Sequence, residues 1–134
     1  MKFSANLGFL WADRPLPDAI HAAHVAGFDA VELHWPYETS AEDVKAALDA
    51  TGLPILGLNT RRGDVAGGEN GLAALPSRID EARAAIDEAI AYADIVGAGA
   101  IHVMCGFGSG DEAHQTFVEN LRYACTATDK TILI

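Results

Sequence analysis

The chain has 134 residues, half of them hydrophobic, which is enough for one domain with a hydrophobic core and excludes an intrinsically disordered chain. Its formal net charge of −10 opposes binding to nucleic acid, although a local arginine or metal ion still permits a small anionic substrate. No apolar run approaches the ~20 residues that span a bilayer, and the N-terminus lacks the pattern of a secretory signal. We therefore expect a cytoplasmic protein with no membrane partner, in which Cys105 and Cys125 are buried, unpaired thiols.

Short apolar runs alternate with segments of helical periodicity along the whole chain. The first helix is predicted after Pro15, with apolar residues at helical spacing, and it ends at Gly27. Thr39 or Ser40 is expected to cap the second helix, which Gly52 stops. The predicted strands share short apolar runs bounded by glycine, proline or polar residues: 3–8, 30–34, 53–59, 100–104 and 131–134.

The third predicted helix is the longest, and the fourth precedes the last strand. Ser77 with Asp80 is predicted to cap the third helix, and Asp111 to open the fourth. The apolar face of the third helix consists of Ile79, Ala82, Ile86, Ala89, Ile90, Ala93 and Val96. The inward face of the fourth consists of Phe117, Leu121, Ala124 and Cys125.

This order of elements predicts an α/β fold of parallel (β/α) units. Two architectures fit: an open five-stranded doubly wound sheet, or about half of a TIM barrel, which normally needs ~250 residues. The chain ends on the apolar run 132–134, which would leave an unpaired edge that attracts another strand. We therefore expect residues 1–134 to be the N-terminal half of a (β/α)8 barrel domain, truncated in the fifth strand.

Polar residues follow the predicted strands, at the carboxyl ends where sites of parallel α/β proteins gather. Glu32 is either a structural hydrogen-bonded acid or a group that polarises a site. His34 and His102 are each a ligand, a substrate donor or a satisfied core histidine, and the last interpretation is favoured for either one alone.

The segment 60–76 is a long, glycine-rich connection in which two arginines follow Thr60. An arginine suits bidentate capture of a carboxylate, and at most one of Arg61 and Arg62 is expected to face a substrate. The glycines suit either close approach of the backbone to a ligand or movement of the loop as a lid, and a solvated surface loop is the alternative. No phosphate-binding glycine motif, nucleophile elbow or zinc motif is present, and the residues do not assemble a complete metal site.

Several short motifs spread over residues 2–134 resemble the hydroxypyruvate isomerases, which are xylose-isomerase-like TIM barrels. The shared motifs, in chain order, are Phe3-Ser4-Ala5-Asn6-Leu7, Val31-Glu32 with Pro36-Tyr37, Gly63-Asp64, Gly68-Glu69-x-Gly71-Leu72-Ala73, Pro76-x-Arg78, Tyr92-Ala93 and Asn120-Leu121-Arg122-Tyr123-Ala124. The resemblance implies a metal-assisted proton transfer that interconverts hydroxypyruvate and tartronate semialdehyde, with Mg or Mn as the divalent metal of the full-length enzyme. It also implies that a glutamate serving as metal ligand and acid/base directly follows Ile134.

By this resemblance the chain supplies substrate-binding positions, and no catalytic or metal-ligating residue of its own. The candidates lie at strand ends or in the long loop: Asn6, His34, Asn59, Arg61, Asp64, Glu69 and His102. The partners expected are a small hydroxy or keto acid and either a second copy of the chain or the missing C-terminal half. The chain alone is expected to be inactive.

Other functions remain open alongside the isomerase. One is a related sugar or keto-acid isomerase or epimerase of the same superfamily, because 59–62 departs from the pattern of some relatives. A DNA-repair endonuclease on the same scaffold is disfavoured by the charge of −10. A non-catalytic open α/β module is disfavoured because Asn6 and Asn59 occupy positions where a phospho-acceptor receiver has acids.

Overall fold

A computed structural model describes residues 1–134, and the chain divides into two compact units. The first unit comprises 1–58 and 92–100, and the second comprises 59–91 and 101–134. Five strands alternate with four helices in the predicted order. The strands are β1 (Ser4–Asn6), β2 (Ala30–Glu32), β3 (Gly57–Asn59), β4 (Ala100–His102) and β5 (Thr131–Leu133). The helices are α1 (Leu16–Val25), α2 (Ala41–Thr51), α3 (Ile79–Val96) and α4 (Gly110–Ala127).

In the first unit, β1 and β2 pair in parallel with Asn6 opposite Glu32. Hydrogen bonds also join β2 to the beginning of β3 and the residue before it. The amide of Leu56 donates to the Val31 carbonyl at 2.9 Å, and the amide of Leu33 donates to the Gly57 carbonyl at 3.0 Å. Helices α1 and α2 pack against each other.

The caps of α2 confirm two predictions. Ser40 is the N-cap and its hydroxyl accepts the Asp43 amide at 3.2 Å, while Gly52 ends the helix in the left-handed conformation with φ of 70°. The local chemistry of a cap depends on residues adjacent in sequence, which is why the sequence predicts it well.

Strands β3, β4 and β5 form one sheet in that order, and all strands are shorter than predicted. Each predicted apolar run is longer than its strand and extends beyond it at one or both ends. Pro54, predicted to begin the third strand, lies outside β3, where its carbonyl accepts the Val31 amide at 3.0 Å.

Three other predictions are wrong. Ser77 does not cap α3, because Pro76–Arg78 forms a 3-10 turn and the α-helix begins at Ile79. The buried face of α4 is Ala113, Thr116, Asn120 and Ala124, so the predicted inward residue Cys125 is exposed. Cys105 is exposed too, and both cysteines are free thiols. The face was misassigned because the apolar residues were taken as the guide, whereas polar Asn120 is the residue that the fold buries.

Candidate functional site

The carboxyl ends of β1 and β2 carry a turn built by Asn6. Its side-chain oxygen accepts the amide of Gly8 at 3.0 Å, and its carbonyl accepts the amides of Phe9 at 3.2 Å and Leu10 at 3.0 Å. The neighbouring Glu32 accepts a hydrogen bond from the Ser4 hydroxyl. Asn6 therefore sets the path of the chain into the loop after β1, and the carboxylate of Glu32 has a structural partner.

The imidazole of His34 lies after β2 among aromatic rings. The ring of Phe9 meets it edge-on at 4.7 Å between centroids, and that of Trp35 lies at the same distance, tilted by 58°. A side chain at Gly8 would overlap the imidazole, so the close approach of this loop to His34 requires a glycine. The imidazole is thus held by packing against both aromatic rings.

A cleft of about 370 Å³ opens beside His34, within the size range of small-molecule sites. Its wall comes from the loop after β1, the first turns of α1 and the loop after β2: Leu7, Gly8, Trp11, Ala12, Arg14, Pro15, Leu16, Ala19, Leu33, His34, Trp35, Pro36, Glu38 and Thr39. Buried Leu7 and Leu33 form apolar wall, and Arg14, His34 and Glu38 supply the ionisable groups.

Trp11, which lines this cleft, has a left-handed backbone with φ of 54°. It is the one residue other than glycine with a positive φ in the chain. For a bulky residue this conformation costs roughly 1–3 kcal/mol and persists where surrounding structure enforces it, commonly at functional sites. An edge-on contact of its indole with Phe28, at 6.1 Å between centroids, is one such constraint.

The loop that follows the cleft is tied to α3 by Tyr92. Its buried hydroxyl donates to the carbonyl oxygen of Thr39 at 3.0 Å and lies 3.4 Å from that of Pro36. Burial raises the pKa of Tyr92 to about 12, with smaller contributions from the nearby carboxylates of Glu42 and Asp43. The phenol therefore stays a neutral donor and holds the segment that carries Glu38 and Thr39.

In the second unit, the ends of β3 and β4 are joined around Thr60. The amide of Thr60 donates to the His102 carbonyl at 2.9 Å, and its buried hydroxyl accepts the Met104 amide at 3.0 Å. This places Asn59 and His102 on adjacent strands, each at the last position of its strand.

The glycine-rich segment 60–76 is fixed to the residues after β4 and to α4. The amide of Ala74 donates to the Cys105 carbonyl at 2.8 Å, and the Ala73 carbonyl accepts the side-chain amide of fully buried Asn120 at 2.9 Å. Gly71 forms an isolated bridge with Cys105. These hydrogen bonds hold residues 71–74, in the second half of the segment, against the loop after β4 and against α4. This part of the segment is therefore not a freely solvated loop.

Glu69 ties the first half of the same segment to the beginning of α3. One carboxylate oxygen accepts the Asp64 amide at 2.6 Å, and the other accepts Arg78 at 2.6 Å. Arg78 also pairs with Glu81, and these two carboxylates raise the pKa of the guanidinium further while Arg78 lowers the pKa of Glu81. Glu69 is therefore engaged in loop structure.

A second cleft, of about 560 Å³, lies between this segment and α3. It is lined by Arg61, Gly63, Asp64, Leu72, Arg78, Glu81, Ala84, Ala85 and Glu88. Arg61 forms a two-point ion pair with Glu88, at 2.6 Å from Nε and 3.1 Å from Nη2. Both side chains are about 40% exposed, so this pair lies at the mouth of the cleft.

The predicted site residues thus fall into separate groups. Arg61 and Asp64 line the second cleft, where Glu69 braces Asp64; Asn59 and His102 end neighbouring strands; and His34 lines the first cleft, with Asn6 shaping the adjacent turn. No group of three or more His, Cys, Asp or Glu side chains is placed to hold a metal ion. Residues 1–134 by themselves therefore do not supply a ligand set for the divalent metal that the resemblance implies for the full-length enzyme.

Reasoning from the sequence missed Arg14, Trp11 and Trp35 as cleft residues. The signal that could have identified them is their position: each follows closely after a predicted strand, where sites of parallel α/β proteins gather. Arg78 and Tyr92 appeared only as parts of shared motifs, and their roles depend on partners that are distant in sequence.

None of the helices is both long and apolar enough to cross a membrane.

Strands alternate with helices along the chain, and β1 pairs with β2 in parallel. These features define the chain as (β/α) units of a TIM barrel, with about half of the elements of a complete barrel. Residues 20–134 match the family described as Xylose isomerase-like TIM barrel, and the chain belongs to that family. The predicted fold class and the resemblance are confirmed.

Curated relatives with isomerase names match most of the chain. A putative hydroxypyruvate isomerase of Xenopus laevis is 42% identical over 133 residues, covering 92% of this chain and 48% of the relative. A 2-oxo-tetronate isomerase of Haemophilus influenzae is 41% identical over 127 residues, covering 92% and 49%. The chain therefore spans about half the length of the curated relatives it matches.

Among solved structures, a Brucella melitensis protein described as an AP endonuclease of family 2 superposes with a TM-score of 0.88 at 34% identity, covering 94% of this chain and 50% of that one. A D-allulose 3-epimerase from Methylomonas has a TM-score of 0.68 at 16% identity, covering 94% and 47%, and shows the fold alone.

Proposed function

We propose that this chain forms part of an isomerase that interconverts hydroxypyruvate and tartronate semialdehyde. The observation that carries the proposal is 42% identity to a putative hydroxypyruvate isomerase across 92% of the chain. The chain spans half of that relative, so we assign the activity to the complete protein. We also propose a cytoplasmic location for that protein.

The reaction moves hydrogen between adjacent carbons. A proton leaves the hydroxymethyl carbon of hydroxypyruvate and one is added to the former ketone carbon, while the oxygens exchange carbonyl and hydroxyl character; the formula is unchanged. A positioned acid/base is needed for these transfers. By the resemblance that group lies outside residues 1–134, so we assign no catalytic residue here.

This chain contributes substrate-binding positions. We propose Asn6, His34, Asn59 and His102 as polar groups at strand ends, where TIM-barrel sites lie. From the segment after β3 we propose Arg61, Asp64 and Glu69. Arg61 reaches a substrate only by giving up its ion pair with Glu88, and Glu69 acts by bracing the backbone at Asp64.

We also propose Mg or Mn as the metal of the complete protein. Such a metal polarises a carbonyl and the adjacent hydroxyl. Because the described residues do not supply a ligand set, we derive no step through it from this chain.

The test compares the full-length protein with the chain that ends at Ile134. Each is incubated with hydroxypyruvate and either Mg²⁺ or Mn²⁺, and tartronate semialdehyde is followed by NMR. We expect turnover by the full-length protein only. Lack of turnover by full-length protein would refute the proposed activity, and turnover by the chain alone would refute its dependence on further residues.

A related isomerase is the second candidate, because a relative of similar identity, 41%, is named 2-oxo-tetronate isomerase. The ratio of kcat/KM for the two substrates decides between them: the substrate with the higher value is the better assignment. The endonuclease name of the Brucella structure is tested by incubation with DNA containing an abasic site. We expect no cleavage, because the charge of −10 opposes approach to phosphates.

The edge of the sheet formed by β5 is a candidate surface for a partner. β5 is the last strand in its sheet, and its residue Leu133 and the following Ile134 are exposed, so this edge suits pairing with another strand. We propose that it pairs with the rest of the barrel, or with a second copy when the chain is isolated. Sedimentation of the isolated chain is expected to show self-association, and a stable monomer would contradict this.

A further inference from the structure

We propose that the cleft of the first unit binds the carboxylate of a small hydroxy monocarboxylic acid through Arg14. This inference rests on the proposed function and deepens it, because it assigns the charged end of the substrate to a residue that neither the resemblance nor the comparisons single out.

Three arginines line the two clefts, and they differ in their ion pairs. Arg61 is neutralised by Glu88, and Arg78 by Glu69 and Glu81. A carboxylate arriving at either would have to displace a protein carboxylate. The guanidinium of Arg14, an exposed residue, takes part in none of the ion pairs of the structure, in a chain whose net charge is −10. Arg14 is thus the cleft cation left available for an external anion.

The backbone of the turn before α1 places Arg14 at the cleft. Its amide donates to the Trp11 carbonyl at 3.0 Å, closing the turn that leads into α1. The left-handed φ of 54° at Trp11 is part of the same turn. The strained conformation therefore sets the positions of both residues on the cleft wall.

The rest of the cleft wall combines apolar side chains with oxygen acceptors. Trp11, Trp35 and the buried leucines Leu7 and Leu33 provide apolar surface on the same wall as the exposed Arg14. Glu38 and Thr39 on the same wall offer oxygen acceptors for substrate hydroxyls. The carboxylate of Glu38 also repels a second anionic group, so a monocarboxylate with hydroxyls fits better than a dicarboxylate.

The test uses D-glycerate, which has one carboxylate and two hydroxyls but lacks the ketone that isomerisation needs. Binding to the full-length protein is measured by calorimetry for the unaltered protein, Arg14→Gln and Arg14→Lys. The matched control is Arg122→Gln, which removes the same charge from an exposed position on α4. Glycerol and tartronate serve as uncharged and dicarboxylate probes.

We expect Arg14→Gln to weaken D-glycerate binding at least tenfold, Arg14→Lys to weaken it less, and Arg122→Gln to change it less than twofold. Tartronate should bind more weakly than D-glycerate, and the weak binding of glycerol should not respond to Arg14. In the isomerase assay, Arg14→Gln should raise KM for hydroxypyruvate at least tenfold with kcat within threefold.

The inference is overturned if the unaltered protein does not bind D-glycerate, or if Arg14→Gln and Arg122→Gln behave alike. Failure of the proposed function gives a different result: binding of D-glycerate that depends on Arg14, without turnover of hydroxypyruvate. Turnover with a KM that is unchanged in Arg14→Gln would instead refute the role of Arg14 and leave the isomerase intact.

Discussion

Gly71 and Gly106 approach each other so closely that neither position has room for a side chain. A Cβ atom on Gly71 would lie 2.5 Å from the amide nitrogen of Gly106, and one on Gly106 would overlap the Gly71 carbonyl oxygen. Both have positive φ, 124° and 80°. This contact docks the glycine-rich segment onto the loop after β4, because backbone meets backbone without an intervening side chain.

Gly71→Ala should therefore destabilise the full-length protein more than Gly68→Ala. Gly68 also has a positive φ, 94°, but a Cβ there meets nothing within 4 Å, so it reports backbone strain alone. We expect a loss of about 1–2 kcal/mol for Gly68→Ala and at least about 2 kcal/mol more for Gly71→Ala in urea denaturation. Equal losses would show that the close contact is not maintained in solution.

Asn120 should be a stability residue despite its polarity. It is fully buried, its side-chain amide donates to the Ala73 carbonyl at 2.9 Å, and its oxygen accepts Nε of Arg83 at 3.3 Å. Asn120→Leu leaves that buried carbonyl unpaired, which should cost about 1–3 kcal/mol in urea denaturation. The neighbouring exposed Glu119→Gln should stay within about 0.5 kcal/mol. An unaffected Asn120→Leu protein would refute the anchoring role.

Tyr92 should make stability fall as the pH rises. Its folded-state pKa of about 12 exceeds the usual value of 10, so the folded protein binds this proton more tightly than the unfolded one does. The contribution of this raised pKa to the free energy of unfolding is complete below pH 10 and is lost between pH 10 and 12. The difference in unfolding free energy between unaltered protein and Tyr92→Phe, measured from pH 8 to 11, should shrink above pH 10; a difference that grows there would contradict the shift.

Glu69 should keep the backbone at Asp64 ordered. Glu69→Gln replaces the carboxylate that accepts the Asp64 amide and Arg78, so we expect the Asp64 amide to exchange its hydrogen at least tenfold faster. Asp49→Asn, which breaks the exposed pair with Lys45 on α2, is the control and should leave that amide unchanged. Unchanged exchange at Asp64 in Glu69→Gln would show that other contacts hold the segment.

Predictions from the sequence succeeded where the signal was local. The Ser40 cap, the Gly52 stop and the order of strands and helices follow from neighbouring residues and from apolar periodicity. They failed at Ser77, where Pro76 begins a 3-10 turn, and at Cys125, which is exposed although Asn120 and Ala124 of the same helix are buried.

The site was harder to predict because its chemistry depends on pairing across the chain. Arg61 was predicted to bind substrate from its position after a strand, yet the structure pairs it with Glu88, which is 27 residues away in sequence. The sequence by itself determined the (β/α) alternation and the family, because periodicity, caps and short motifs are written in adjacent residues. Only the tertiary structure decided which cations are neutralised, which glycines are required and which polar residue is buried, because each depends on a contact between distant segments.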